Sequence, residues 1–375
     1  MEQGPEIPGR DHYQVAVGRA AATALRTAHP SRTSWSRAQL LNVFAELRPT
    51  GYLGSTIDEN TGGAGLSLGQ FASLVEGLAT AVPFLANHSV QRFIANSGSP
   101  EARAKVLPGL LDGTSIGAVA VTEQQGGSSI KNLRTKLVPS SAGLVLRGRK
   151  DWVTHALTAD TAAVLAADAH GHPVRVLVDL ASPGVARAPL HPHGLHHLSF
   201  GTLLFNEVVI EEWRVLDEDG AAGAKAGFGV ARVLVAVQAV ALALRALAET
   251  VEYLGTRSAR GARVIDLDLV THQVGVLAAE LQGARLLAYH AVEAVQRGHA
   301  SAAPLASGAK AHACTTAVRA CTELVSLCAG HGLDISTDMA GYRDDVEMLA
   351  TADGTGLVNS ILWGAYVKNH PSECL

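Results

Sequence analysis

"GAVAVTEQQGGSSIKNLRTKL" (117–137) and, a few residues on, "LRGRKDWVTHALTAD" (146–160) decide how this chain is read. Small and β-branched residues run into Thr122 and Glu123, and the paired glycines Gly126 and Gly127 then cut the run. The second stretch alternates toward Trp152, Val153 and Thr154. Neither carries the three-and-four spacing of a helix. Further runs of the same kind follow, "TAAVLAAD" (161–168), "PVRVLVDL" (173–180) and "TLLFNEVVI" (202–210), bounded by Gly, Pro, Asp and His. Several short strands at this spacing predict a β-sandwich or barrel between about 114 and 212.

Outward from that unit the pattern turns helical on both sides. Residues 14 to 110 read as short helices, as in "LGQFASLVEGLATAV" (68–82), interrupted by the glycine-broken "DENTGGAGL" (58–66). After the Gly-rich link "DEDGAAGAKAGFG" (217–229), helical periodicity runs to about 257, then over 265–298, 302–329 and 342–368. Four long apolar helices predict a bundle. The expected class is α+β, with an N-terminal helical domain (1–113), a middle β domain (114–220) and a C-terminal bundle (221–375).

The whole-chain numbers fit an ordinary folded protein. Of 375 residues 47% are hydrophobic and 17% charged, which excludes a disordered chain. The formal net charge is -4 with no basic cluster, so nucleic acid is not an expected partner. "MEQGPEIPGRDHYQV" shows no basic segment leading into an apolar one, and a cytoplasmic location is expected. "VLVAVQAVALAL" (233–244) lies between Arg232 and Arg245 and is too short to span a bilayer, so no membrane partner is expected. Cys314, Cys321 and Cys328 recur every seven residues, the spacing of one helix face, and read as small packed thiols. "HPHGLHH" (191–197) gathers four imidazoles, but Pro192 and Gly194 mark a loop without an acid or Cys, and no metal is expected there.

The order of the three units, with Thr-Glu before a Gly-Ser turn and then Gly-x-Lys-x-Trp-Val-Thr, strongly resembles the acyl-CoA dehydrogenase family. "TGYLGSTIDENTGGAGLSL" (50–68) looks like its N-terminal Gly-Gly loop, and "GLHHLSFGTLLFNEVVI" (194–210) like the strand pair after its β core. The resemblance implies FAD between the β unit and the bundle, with its adenosine reaching a second subunit of a homodimer or homotetramer. It implies Thr122 and Thr154 as donors to the isoalloxazine edge, Trp152 as its wall, and Ser128 beside the acyl carrier arm.

Aligned on the same family, Gly330 and Gly332 fall in its Gly-rich turn. Asp353-Gly354-Thr355 falls on its Glu-Gly-Thr, which puts Asp353 where the family keeps the carboxylate that removes the α-proton while the β-hydrogen leaves as hydride to flavin N5. Asp is one methylene shorter than the family's Glu, about 1 Å of reach. Gln238, which cannot act as a base, falls where some members place that group instead. Thr355 and Arg257 join the cofactor set on this alignment, Arg257 within "RSARG" (257–261), where Arg260 stands for the family's Phe. The family's carrier-facing Asp and Arg fall on Ala236 and Ala239, and a Gln of the Gly-rich turn falls on Ser326.

The implied activity is an FAD-dependent dehydrogenase of a small acyl group on CoA or an acyl carrier protein, in biosynthesis of the specialised kind. Two other readings stand beside it: non-redox chemistry (a cyclase, lyase or acyl-binding protein), or a flavin oxidase or monooxygenase.

Overall fold

The computed structural model describes residues 6–28, 33–79, 85–127, 132–141, 143–216 and 220–374. Six helices open the chain: α1 His12–Ala28, α2 Arg37–Leu47, α3 Leu68–Leu78, α4 Leu85–Ser97, α5 Pro100–Lys105 and α6 Leu107–Asp112. Their starts follow local chemistry. Ser36 and Ser67 accept from the backbone of Gln39 and Gln70, whose side chains reach back, so α2 and α3 each carry a complete capping box. Helix α6 stops at Gly113, φ 78°, where a Cβ would stand 2.7 Å from Leu53.

Seven strands follow: β1 Gly117–Ala120, β2 Lys136–Ser140, β3 Gly143–Val153, β4 Thr161–Ala167, β5 Pro173–Asp179, β6 Val185–Pro189 and β7 Gly201–Ile210. They form one curled sheet in the order β1-β4-β2-β3-β7-β6, with β5 added on β4. Every residue of β4 is buried, which explains its run of alanines and branched residues without polar alternation. In β3 the pairing with β7 slips between Lys150 and Val153, a bulge centred on Trp152 with φ 55°. Such a bulge re-aims the side chain it carries. Trp152 is 53% exposed as a result.

The bundle comprises α7 Gly220–Thr256, a small hairpin of β8 Ser258–Ala259 and β9 Ala262–Arg263, α8 Asp268–Gln296, α9 Ala302–Leu327, the short α10 Gly330–Leu333, α11 Met339–Thr351 and α12 Gly356–Asn369. The stretch Phe228–Thr256 of α7 is long and apolar enough to cross a membrane, but it is the bundle's central helix, with 78% of its most apolar window buried. The fourth helix expected over 342–368 is two helices. Asp353 at φ 50° and Gly354 at φ 96° take left-handed conformations that no helix continues, and Thr355 caps α12 through Val358 N.

Helix α12 lies close on α9 because Gly308 has no side chain: a Cβ there would meet the Trp363 ring at 2.8 Å. Cys314, Cys321 and Cys328 are buried free thiols along α9 and at its C-terminus. One apolar core runs through all three units, from Phe71 and Leu74 of α3 through Leu203 of β7 to Val235 and Leu242 of α7. The site is thereby carried on elements that share one packed interior.

Candidate active site

The two opening motifs meet at the β3 bulge. Asp151 N donates to Thr122 O at 2.9 Å, and the Asp151 carboxylate is held by Thr202 Oγ1 at 2.6 Å and Arg149 at 2.8 Å. Beneath them Lys150 and Glu123 form an ion pair at 2.8 Å, their side chains 0% and 2% exposed. Lys150 also donates to Val121 O, and Glu123 accepts from the backbone N–H of Arg134 and Thr135. Burial works against the Glu123 charge, but Lys150 and those two amides outweigh it and bring its pKa down to about 2. The Thr-Glu and Gly-x-Lys-x-Trp motifs are thus clasped to one another by their charged members.

What this clasp presents is an apolar plate with two free hydroxyls. Trp152 meets Phe200 edge-on at 6.3 Å. Among the described residues the hydroxyls of the half-buried Thr122 and Thr154 have no hydrogen-bond partner. A Cβ on Gly127 would lie 2.7 Å from Thr122 Oγ1, so the glycine is what leaves that hydroxyl room. Ser128, the expected carrier contact, lies outside the described residues.

On the bundle side, Asp353 sits in the break between α11 and α12. Its carboxylate, partly buried, accepts no hydrogen bond among the described residues; only its backbone carbonyl is held, by Arg232 Nε at 3.2 Å and Asn359 Nδ2 at 3.5 Å. Burial raises its pKa above the usual carboxylate value, against the pull of Lys310 and Arg232. An unpaired, partly desolvated carboxylate fixed by its backbone is arranged to take a proton. Thr355 Oγ1 caps α12 at 3.4 Å from Val358 N, which gives this residue a local task beside the one expected from sequence.

The histidine run joins the two sides. Leu195 N donates to Asp345 Oδ1 at 2.6 Å, His193 Nε2 lies 3.1 Å from Glu347 Oε2, and a Cβ on Gly194 would stand 2.3 Å from Asp344 O, all on α11. At its other end Leu198 O accepts from His155 N at 2.8 Å, one residue past Thr154. This loop therefore ties the end of β3, with Trp152 on the strand and Thr154 just past it, to the helix that leads into Asp353. His197 packs on Trp35 at 5.0 Å.

Arg257, Gly330 and Gly332 gather in a separate cluster. Arg257 Nη1 donates to Tyr253 Oη at 2.7 Å, and Tyr253 stacks on His331 at 3.8 Å with 7° between the planes. Gly332 has no room for a Cβ, which would sit 2.4 Å from Val325 O, whereas Gly330 faces open space. "RSARG" is the β8–β9 hairpin, with Arg260 (φ 52°) and Gly261 (φ 79°) at its turn. Paired positive φ values are those of the tight hairpin turn that matches strand twist.

On α7, Ala236 and Ala239, where the family's carrier-facing Asp and Arg fall, are both fully buried, and Gln238 is buried with Oε1 lacking a partner among the described residues. The residue of α7 that reaches the base turn is Arg232, and Lys310 of α9 joins it there. The signal was available: each is a cation inside an otherwise apolar helical run, which needs a partner.

Comparison with known proteins agrees with this architecture. Family models described as the N-terminal, middle and C-terminal domains of acyl-CoA dehydrogenase match residues 14–114, 118–208 and 218–362 in that order. The chain belongs to the acyl-CoA dehydrogenase family. It is 27% identical over 330 residues to "Acyl-CoA dehydrogenase" of Bacillus subtilis (strain 168), covering 84% of this chain and 87% of that one. Among solved structures it resembles butyryl-CoA dehydrogenase from Megasphaera elsdenii, with TM-score 0.88, 23% identity, and 98% and 100% of the two chains covered. It also resembles glutaryl-CoA dehydrogenase from Mycobacterium smegmatis in complex with FADH2, with TM-score 0.87, 20% identity and 96% of each chain covered.

FAD is the cofactor this family implies, and the residues present fit it. An isoalloxazine ring needs an apolar wall and a few unspent donors. The exposed Trp152 face and the free hydroxyls of Thr122 and Thr154 are such a set.

Proposed function

We propose that this protein is an FAD-dependent dehydrogenase of an acyl thioester, with Asp353 as the base. The reading rests above all on the Asp353 carboxylate, which no described donor occupies and which burial makes more basic than an ordinary carboxylate. Asp353 takes the proton from the carbon α to the thioester carbonyl, and the α C–H electron pair becomes the new C=C bond. FAD, when bound, accepts the β-hydrogen as hydride. Thr122 and Thr154 donate to the ring and Trp152 excludes water from one side. The family alignment assigns Ser128 a contact with the carrier arm, and Arg257 with Gly330 and Gly332 serves a neighbouring subunit's cofactor.

The carrier is CoA or an acyl carrier protein, and the acyl group is small; a biosynthetic, specialised pathway is part of the same proposal. The working unit is a homodimer or homotetramer. That assembly is supported by Leu269 and Leu286 on α8 and Leu357 and Ile361 on α12, which are 50–83% exposed.

The test is an anaerobic titration of FAD-loaded protein with short acyl-CoA and acyl carrier protein thioesters. Bleaching of the flavin that is abolished in Asp353→Asn, with FAD content retained, is expected. Protein that takes up no FAD, or an Asp353→Asn variant that bleaches at the wild-type rate, would overturn the reading. Light scattering during size-exclusion chromatography checks assembly, and a monomer would remove that part.

A further inference from the structure

The helix break that presents Asp353 is held by side chains from α7, α9 and α12. Lys310, on α9 and 0% exposed, donates from Nζ to Ala350 O at 2.7 Å and to Gly354 O at 2.6 Å. Arg232, on α7, donates to Asp353 O, and its Nη1 reaches Ser307 Oγ at 3.1 Å. Asn359, in the first turn of α12 and fully buried, donates to Gly354 O at 2.7 Å and Thr355 O at 3.2 Å. The carbonyls of 350, 353 and 354 would otherwise be unpaired, whereas Thr355 O also accepts from the backbone N–H of Asn359 at 3.0 Å.

Burying an ammonium is costly unless donors and charge are both satisfied. A plain helix terminus exposed to water needs no such residue, so the placement of Lys310 calls for a task. Its donors go to backbone oxygens on both sides of Asp353, and the carboxylate itself is left without a hydrogen bond. A cation bonded directly to that carboxylate would hold the charge and compete with proton transfer. Held one peptide away, it fixes the residue's backbone while leaving its oxygens free.

We infer that Lys310 is a positioning residue for the reaction: it locks the left-handed Asp353-Gly354 turn so that the shortened base is held at a fixed reach. This rests on Asp353 being the base. The charged and titratable groups facing the turn are Arg232 of α7 and Lys310 and Cys314 of α9. Lys310 and Arg232 oppose the rise in the Asp353 pKa that burial causes. Cys314, whose Sγ points to Leu349 O at 3.9 Å, has its own thiol pushed up to about 11 by burial and stays neutral.

The experiment compares Lys310→Met, Lys310→Arg and Asp353→Asn in FAD-loaded protein. In Lys310→Met, kcat should fall about 10- to 100-fold, the scale of a base displaced by about 1 Å, with KM within about 3-fold. The acid limb of its kcat profile should move to higher pH, since one cation that favours the charged carboxylate is gone. Amide exchange at 354–358 should quicken in the FAD-free protein as well, and Lys310→Arg should restore part of both effects. Unchanged kcat, profile and exchange in a folded Lys310→Met overturn the inference. If Lys310→Met does not fold, the same measurements on Lys310→Gln, which removes the charge and shortens the reach, decide: a wild-type kcat, pH profile and exchange then count against positioning. An active Asp353→Asn would instead bring down the base assignment, while quickened exchange in the Lys310 variants would still establish the clamp.

Discussion

Replacing Lys150 by Met tests whether the clasp between the two opening motifs holds the flavin face together. The substitution roughly keeps the volume of the stem but removes two hydrogen bonds, to Val121 O at 2.9 Å and Glu123 Oε1 at 2.8 Å. It leaves the Glu123 carboxylate buried with the Arg134 and Thr135 amides and the Gln125 side chain as donors. Breaking a buried pair by removing one partner costs about 3–5 kcal/mol. Because those three donors remain, the low end applies, about 3 kcal/mol. Scaled from the roughly 2–4 °C per kcal/mol of smaller domains, Tm should fall by about 5 °C or more.

The pH dependence has a definite sign. The Glu123 pKa is depressed from 4.5 to about 2, so its stabilisation is present above about pH 4.5 and disappears as pH falls toward 2. The gap between wild type and Lys150→Met should therefore be level from pH 8 to about 5 and narrow below that. The double variant Glu123→Gln/Lys150→Met should lose less than the two single losses added, since no lone buried charge is left. Thermal melts across pH, with FAD content measured in parallel, carry the test. A Lys150→Met variant that melts within about 1 °C of wild type and keeps its FAD refutes the clasp, as does strict additivity in the double variant.

Asp353→Asn should raise Tm at pH 8, because a carboxylate whose folded pKa is raised destabilises the fold where it is charged; the difference should close as pH falls below the ordinary value of 3.8. Gly194→Ala must move either the histidine loop or α11, since its Cβ would lie 2.3 Å from Asp344 O; a loss of about 1–3 kcal/mol in chemical denaturation is expected, with a fall in kcat. His193→Ala removes only the exposed contact to Glu347, and the same assay should register about 0–1 kcal/mol. Trp152→Ala should leave Tm within about 1 °C, because the ring is 53% exposed, yet weaken FAD retention on gel filtration.

The strands and the helical units were legible because each is written locally, whereas Asp353 was singled out by the family alignment. A period-two run marks β3, an unbroken run of small and branched residues marks β4, and a glycine after an acid marks a break. The break at 353 was nevertheless read as part of a helix from 342 to 368, since Val346, Ala350, Leu357 and Ile361 keep a helical rhythm across it. What ends the helix is the pair of positive φ values at Asp353 and Gly354, which the rhythm of apolar residues does not encode.

The clamp around that break was hidden for a different reason. Lys310 lies 43 residues before Asp353 and Arg232 lies 121 before it, on separate helices whose apolar periodicity is intact. Their role follows from three-dimensional adjacency alone. Yet each is a charge against an apolar helical pattern: Arg232 borders the run 233–244 and Lys310 stands within the stretch 302–329. A cation at such a position must find oxygens. In a bundle whose helices satisfy their own carbonyls, the oxygens open to it are those of helix ends and breaks. That argument would direct attention from Lys310 to the break at 352–355 before any coordinates, and from the break to the acid inside it. A catalytic turn inside a bundle requires donors from its neighbours, and buried Lys or Arg in apolar helices are where to look for them.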